Sequence, residues 1–447
     1  MAIETLRLRE DAHVAVIGGG PAGSLFAHFL LAEARAVGLR LNISIYDGKG
    51  FNRRGAVGCN QSAGVVARNF ADEVRAAGIG LPASVVQRRI NGYWLETSVG
   101  SVNLKPPGEE EEILTVYRGN GPRGTTYRNN VSLDDHLLDF VRQEGVRVVT
   151  EFVTDIRLPS SPYEPCLVAW AGKAKQHWEP ADLVVGAFGV NSALAGQVER
   201  LGFGYRAPRT VGSIQTELEL GHGEVDTLVG DAIGAYSLDL PGVRFAALTP
   251  KHDYITVTLV GEAADEERLR LFLKHPVVQR RLGLNGRTPA FACQCRPRVL
   301  VSSATRPYDT RIVMVGDAAT SRLYKNGLQS SLVTARAAAE VAIRHGVSRE
   351  AFASHYAKLC RAIDRDNQWG RILFQLYDYT LSRSTWMARR LLSAVEAEQR
   401  ALPPEERPTC KVLWKMLSGT RPYAEIARDL LRPSLYAHLA QGEGAHK

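Results

Sequence analysis

The hydrophobic pattern changes period several times along the chain, and each change predicts an element. Residues 13–17 (His-Val-Ala-Val-Ile) are a short apolar run, 18–23 read Gly-Gly-Gly-Pro-Ala-Gly, and apolar positions then recur at helical spacing from 24 to 37. That order predicts strand, glycine turn and helix. Leu41, Ile43 and Ile45 alternate with polar residues up to Tyr46 and Asp47, which predicts a second, parallel strand and completes a βαβ unit. Ser132 is placed to cap a helix bearing Leu133, Leu137, Leu138 and Val141, stopped by Gly145 before a strand over 146–150. Residues 55–70 and 106–130 are rich in Gly, Pro and charge and read as loops, the acidic run 109–112 as a solvated one. Residues 181–186 read as a buried strand. From about 210 to 261 the period falls to two, which predicts an antiparallel sheet inserted into the first domain. A buried strand over 311–315, ended by Gly316-Asp317, and an alanine-rich helix over 328–344 resume that first domain. Helices rich in Arg and aromatics follow, broken near Leu402-Pro403-Pro404.

Composition narrows the class. Of 447 residues, 45% are apolar and 23% charged, the profile of a folded soluble protein. A net charge of +8 favours anionic ligands or lipid headgroups and gives no reason to invoke nucleic acid. The six cysteines, Cys59, Cys166, Cys293, Cys295, Cys360 and Cys410, lack the repeated spacing of a disulfide framework or zinc ribbon. No metal is expected, and a reducing cytoplasm is the simplest compartment. Residues 1–10 show no apolar stretch, so no signal peptide is expected, and no run reaches the ~18 apolar residues of a membrane span. Any membrane contact would be peripheral.

The candidate chemistry starts at the glycine turn. Gly18 suits a tight turn, Gly20 lets the backbone approach a pyrophosphate, and Gly23 lets helix and strand pack closely. Pro21 and Ala22 open the helix whose N-terminus would face the phosphates. Asp47, at the end of the next strand, can accept from ribose hydroxyls. The alternative is an accidental glycine-rich turn. Gly316-Asp317 admits two readings as well: a second hydroxyl-binding carboxylate, or an ordinary cap for the following helix.

The sequences Gly18-Gly-Gly20-Pro-Ala-Gly23, Ala181-Asp-Leu-Val-Val-Gly-Ala-Phe-Gly189 and Ile312-Val-Met-Val-Gly-Asp-Ala-Ala319 resemble, in this order, the FAD-dependent oxidoreductases of the p-hydroxybenzoate hydroxylase-like fold. Within that class the Cys59 region, residues 132–137 and residues 245–261 look most similar to the geranylgeranyl reductase family. The resemblance spans about residues 10–345. It implies an α/β fold in which a Rossmann-like FAD-binding domain is assembled from 1–95, 131–200 and 306–345. A loop or substrate-domain segment at 96–130, a mostly antiparallel β substrate domain at 201–305 and a helical C-terminal cap at 346–447 complete it. It further implies that Asp47 binds the adenosine ribose, that Gly316 and Asp317 meet the ribityl chain or pyrophosphate, and that Asn326, Gly327 and Leu328 aim a helix N-terminus at the flavin pyrimidine edge. Cys59 would lie beside the isoalloxazine as the catalytic candidate, against the alternative of a packed core thiol, with Arg54 as a flavin contact. Arg128 would stand in for an arginine the family places where this chain has Asn130. Other departures are Phe188 in place of an Asp before Gly189, Thr320 after Gly-Asp-Ala-Ala, Tyr324-Lys325-Asn326 near the final helix, and residues 244–250 in place of an aromatic substrate motif.

The function these readings predict is an FAD-dependent oxidoreductase that reduces C=C bonds of an isoprenoid-like or other apolar small molecule. One alternative is a flavin-dependent monooxygenase acting on a small or carrier-bound substrate. Another is a flavin-binding assembly protein without turnover. With one dinucleotide fingerprint, electrons would come from NAD(P)H at a transient site or from a redox protein. Residues 369–395 hold Trp369, Phe374, Tyr377, Tyr379 and Trp386 with Arg371, Arg383, Arg389 and Arg390 against one acid, Asp378. They suit a membrane interface, the alternative being aromatics packed on the substrate domain beside a solvated basic face.

Overall fold

The computed structural model describes residues 6–55, 57–108, 111–122, 131–172, 175–287, 290–433 and 435. The chain folds into two compact units, each made of three stretches.

The first unit comprises Met1–Arg53, Ser132–Thr210 and Leu300–Arg365. Its six-stranded sheet runs in the order Tyr308–Asp309, Ile312–Met314, Leu183–Gly186, Ala12–Ile17, Leu41–Tyr46 and Arg147–Val149, parallel except at the first strand. Alternation sorts the central strand. Ala15 and Ile17 join the cluster with Val153, Ile156, Cys166 and Val168, so a small antiparallel sheet (Val153–Arg157, Cys166–Ala171, Gln176–Ala181) covers that face. The helices Pro21–Ala36, Leu133–Gln143 and Gly327–Arg344 pack together. Small buried residues, Ala22 and Ala27 on the first helix and Ala335, Ala338 and Ala342 on the last, let these helices approach closely. Ser132 does cap its helix, its Oγ accepting from Asp135 N at 3.3 Å.

The second unit comprises Arg54–Val131, Val211–Val299 and Asp366–Lys447. Its eight-stranded sheet is antiparallel apart from one parallel pair, Ala232–Ser237 with Gly92–Thr97. One face presents Ile214, Leu218, Ile255, Val257 and Leu259 to the helices Glu266–Lys274 and Pro276–Arg281. At the far end of the opposite face, Tyr93, Leu95, Val102 and Leu104 pack against Leu392, Val395, Leu413 and Trp414 of the helices Thr385–Ala401 and Pro408–Ser418.

Two stretches read as loops contain regular structure. Val65–Ala67 and Ile113–Val116 pair with each other, Val86–Ile90 joins them, and the helix Arg68–Ala76 starts inside the first stretch. The runs Val65-Val66 and Ile113-Leu-Thr-Val116 are short and flanked by Gly and charge. Their strand propensity is expressed only because a partner strand exists. The acidic run is not merely solvated: Glu111 accepts from Trp414 Nε1 at 3.0 Å and from Thr420 Oγ1 at 3.3 Å, and Glu112 pairs with Arg89. Residues 109 and 110 lie outside the described residues.

Candidate functional site

In the first unit, the expected cradle is assembled from three parts of the chain. The strand Ala12–Ile17 ends at Gly18, whose φ of +108° is one that L side chains rarely adopt; a Cβ there would lie 2.6 Å from the Ala187 carbonyl oxygen. A Cβ on Gly23 would sit 1.9 Å from the Gly18 carbonyl oxygen, so the turn closes only with glycine at that position. Gly20 caps the helix at φ −69°, ψ −176° without a side-chain hydrogen bond, Pro21 and Ala22 begin it, and its first turn holds no acidic residue. The N-terminal N–H groups and the dipole therefore favour an anion.

Asp47 is buried, and each of its oxygens accepts from the backbone: Gly19 N at 2.6 Å and Lys49 N at 2.7 Å. Burial raises its carboxyl above the ordinary range, and those two N–H groups pull it back. Its observed work is to hold the glycine turn against the second strand.

Gly316 follows the strand Ile312–Met314 at φ +61°, and a Cβ on it would come 2.7 Å from Ala22 Cβ. Gly316 N donates to the buried Thr334 Oγ1 at 2.8 Å. Asp317 Oδ1 lies 3.7 Å from where a Cβ on Gly327 would stand. Asn326, left-handed at φ +55°, precedes the helix Gly327–Arg344; Leu328 is buried, and the first turn again lacks an acidic residue. Gly18, Gly20, Pro21, Ala22, Gly23, Asp47, Gly316, Asp317, Asn326, Gly327 and Leu328 thus gather around two helix N-termini. Lys325, singled out only as a departure, adds a group whose ammonium burial and then Arg322 push down to about 8.

Arg54 and Cys59 belong to the second unit, of which Arg54 is the first residue. The Cys59 loop is braced by hydrogen bonds from Cys59 N to Gly55 O and from Asn60 N to Arg118 O, each 3.2 Å. Gln61 N donates to Cys59 Sγ at 3.2 Å. Arg128 lies outside the described residues.

Sequence reasoning missed what surrounds Cys59. Register places Cys293 opposite Glu217 and Cys295 opposite Gln215, while Glu217 and Gln215 also face Thr256 and Thr258. All six side chains therefore share one sheet face. Burial, then Glu217 and Cys59, push the Cys293 thiol up to about 12; burial, then Cys59 and Cys293, do the same to Cys295. The three thiols are within electrostatic reach of one another. Beside them Lys251, 1% exposed, pairs with Glu217 at 3.1 Å and lies 4.5 Å over the Tyr117 ring; Thr256 Oγ1 donates to Glu217 at 2.8 Å. The alternation of residues 254–259 signalled a sheet face, yet nothing in the sequence states which strand lies opposite. Elsewhere in this unit His222, His252 and Asp253 bring potential metal-ligating atoms within 4.8 Å of one another. His222 Nδ1 is engaged by the His252 carbonyl at 3.1 Å and His252 Nδ1 by Asp253.

No family model and no curated protein sequence matches the chain. Solved structures do. A geranylgeranyl bacteriochlorophyll reductase-like protein from Thermoplasma acidophilum superposes with a TM-score of 0.66 at 16% identity, covering 94% of this chain and 99% of that one. The chain has the p-hydroxybenzoate hydroxylase-like fold of FAD-dependent oxidoreductases. A flavoprotein/dehydrogenase from Cytophaga hutchinsonii (TM-score 0.63, 17% identity, 97% and 100% coverage) and a p-nitrophenol 4-monooxygenase from Pseudomonas putida DLL-E4 (0.62, 14%, 93% and 100%) share this fold. Reductase-like and oxygenating flavoproteins are thus both built on it.

Proposed function

We propose that the chain is an FAD-dependent oxidoreductase and that its reaction is the reduction of a C=C bond in an isoprenoid-like or other apolar substrate. The observation that carries the flavin reading is the convergence of the glycine turn, the Gly316-Asp317 turn and the Gly327 helix N-terminus, packed so closely that a Cβ at Gly18, Gly23 or Gly316 has no room. These residues fit an adenine dinucleotide. The turn and the first helix N-terminus would take the pyrophosphate, Asp47 the ribose hydroxyls and Asp317 the ribityl chain, while the Gly327 N-terminus would favour negative charge on the cofactor's pyrimidine edge. When bound, reduced FAD would supply hydride to one carbon of the double bond. Cys59 is the candidate to hold the proton for the other carbon, with water as the alternative. NAD(P)H at a transient site, or a redox protein, would supply the electrons.

A second reading, oxygenation of a small polar substrate, draws support from the sheet face in the second unit. Gln215, Glu217, Thr256 and Thr258 are polar there, and Thr258 Oγ1 is buried without a hydrogen-bond partner among the described residues, which suits a polar ligand better than a hydrocarbon. The test is an absorption spectrum of purified protein, identification of the released flavin, anaerobic titration with NADH, NADPH and dithionite, and rapid mixing of the reduced protein with oxygen. Bound FAD reoxidised by an olefin substrate supports the reductase; a long-lived oxygen adduct supports the second reading. A protein that neither retains nor takes up FAD overturns both, and bound FAD inert to every reductant leaves the assembly-protein reading.

A further inference from the structure

The C-terminal aromatics divide into two groups, and the division exposes a surface. Phe374 stacks on Phe245 with ring centroids 6.3 Å apart, Tyr377 OH receives Ser237 Oγ at 3.3 Å, and Trp414 is fully buried. Those residues hold the helices to the sheet. Trp369, Ile372, Leu376, Tyr379 and Trp386 instead stand out, between 44% and 63% exposed. The first four, spaced three, four and three residues apart, form a stripe on one face of the helix Ala357–Asp378 and the turn after it. A π-helical turn, Tyr379–Arg383, then leads into the helix Thr385–Ala401, whose first turn offers Trp386.

Charge identifies the occupant. Arg383 and Arg389 are exposed beside the stripe, Arg390 lies 5.0 Å over the Trp386 ring, and Asp378, bridged to Arg383 at 3.2 Å, is the one acid between residues 369 and 395. We infer that this corner docks the protein on an anionic lipid surface, with Trp369, Ile372, Leu376, Tyr379 and Trp386 entering the headgroup region and the arginines meeting lipid phosphates. Aromatic side chains with an apolar body and a polar edge suit that boundary, and arginine stems reach past them to the headgroups. A second copy of the chain fits less well. Five half-exposed side chains offer roughly 500 Å2, short of the ~800 Å2 per partner of a standard protein interface, and two such basic corners would repel. The inference goes beyond the proposed reaction and does not rest on it.

The test is co-sedimentation of the full chain with phosphatidylcholine vesicles with and without phosphatidylserine, across a salt series. The expected result is binding to the anionic vesicles that weakens with salt and falls about ten-fold or more in Ile372→Gln/Trp386→Gln and in Arg389→Glu, with thermal midpoints unchanged. Both variants alter exposed side chains, and the charge variant keeps the test valid should the double variant misfold. Three outcomes overturn the inference: no binding to either vesicle at low salt, binding that ignores both variants, or reversible dimerisation abolished by the same variants without vesicle binding. Because the readout is vesicle binding, its failure leaves the flavin reading standing, and a protein without flavin activity can still dock.

Discussion

Gly20 and Gly23 separate two jobs that one glycine motif mixes. Gly23 has backbone 1.9 Å from where a Cβ would go, so Gly23→Ala should destabilise the first unit by about 3 kcal/mol or more, read by urea unfolding of the apoprotein. Gly20 sits at a negative φ with extended ψ, a conformation a β-branched residue adopts without strain. Gly20→Val should therefore leave apoprotein stability within ~1 kcal/mol while abolishing retention of FAD, measured by equilibrium dialysis. Equal losses in both variants would remove the pyrophosphate role. The thiols divide similarly. Cys293 and Cys295 are pushed to about 12 and stay protonated at neutral pH, so maleimide mapping at pH 7.5 should label them slowly, and faster only as pH climbs towards that value. Cys59→Ser should keep FAD and change turnover; unchanged kinetics with lowered stability would make it a packing residue.

At the scale of elements, the sheet of the second unit holds an ion pair between buried Lys251, just past the strand Phe245–Pro250, and partly buried Glu217 of the strand Thr210–Glu219. Removing Lys251 alone leaves Glu217 uncompensated. Lys251→Met should cost about 3–5 kcal/mol, and Lys251→Met/Glu217→Gln should recover most of it, checked by a double-mutant cycle in denaturant. The helix Gly327–Arg344 poses a different question. If Asp317 served only the turn before Gly327, Asp317→Ala would cost about 1 kcal/mol and leave FAD affinity alone. The cradle instead predicts a larger loss in FAD affinity than in stability. Strand pairing also explains the misread loops. Ile113–Val116 is four residues long and lies between Val65–Ala67 and Val86–Ile90, so its order depends on neighbours distant in sequence.

For the whole molecule, ligand binding and folding are linked. FAD should stabilise the folded chain by about 2.7 kcal/mol at a hundred-fold excess over its dissociation constant, read as a rise in thermal midpoint with FAD concentration, and FMN, lacking the adenylate that the turn and Asp47 would hold, should do so far less. Equal shifts with the two flavins would contradict the dinucleotide reading. No helix among the described residues is long and apolar enough to cross a membrane.

Local signals determined the first βαβ unit, the Ser132 cap, the strand before Gly316 and the helix after Gly327, because each depends on spacing and turn chemistry within one continuous stretch of chain. The same locality made the glycine turn and Asp47 legible. Only the tertiary structure decided that Gly316 packs on Ala22, that Asp317 lies beside Gly327, and that Gly92–Thr97 joins the sheet of the second unit as a parallel partner of Ala232–Ser237. Only it decided which C-terminal aromatics are buried. Residues 369–395 are amphipathic in more than one way, and whether an aromatic faces the sheet or water depends on the cross-strand surface it meets. The opposition of Cys293 to Glu217 has the same origin: a period of two fixes which residues share a face, while register, which pairs them, is set by contacts that a linear pattern does not contain.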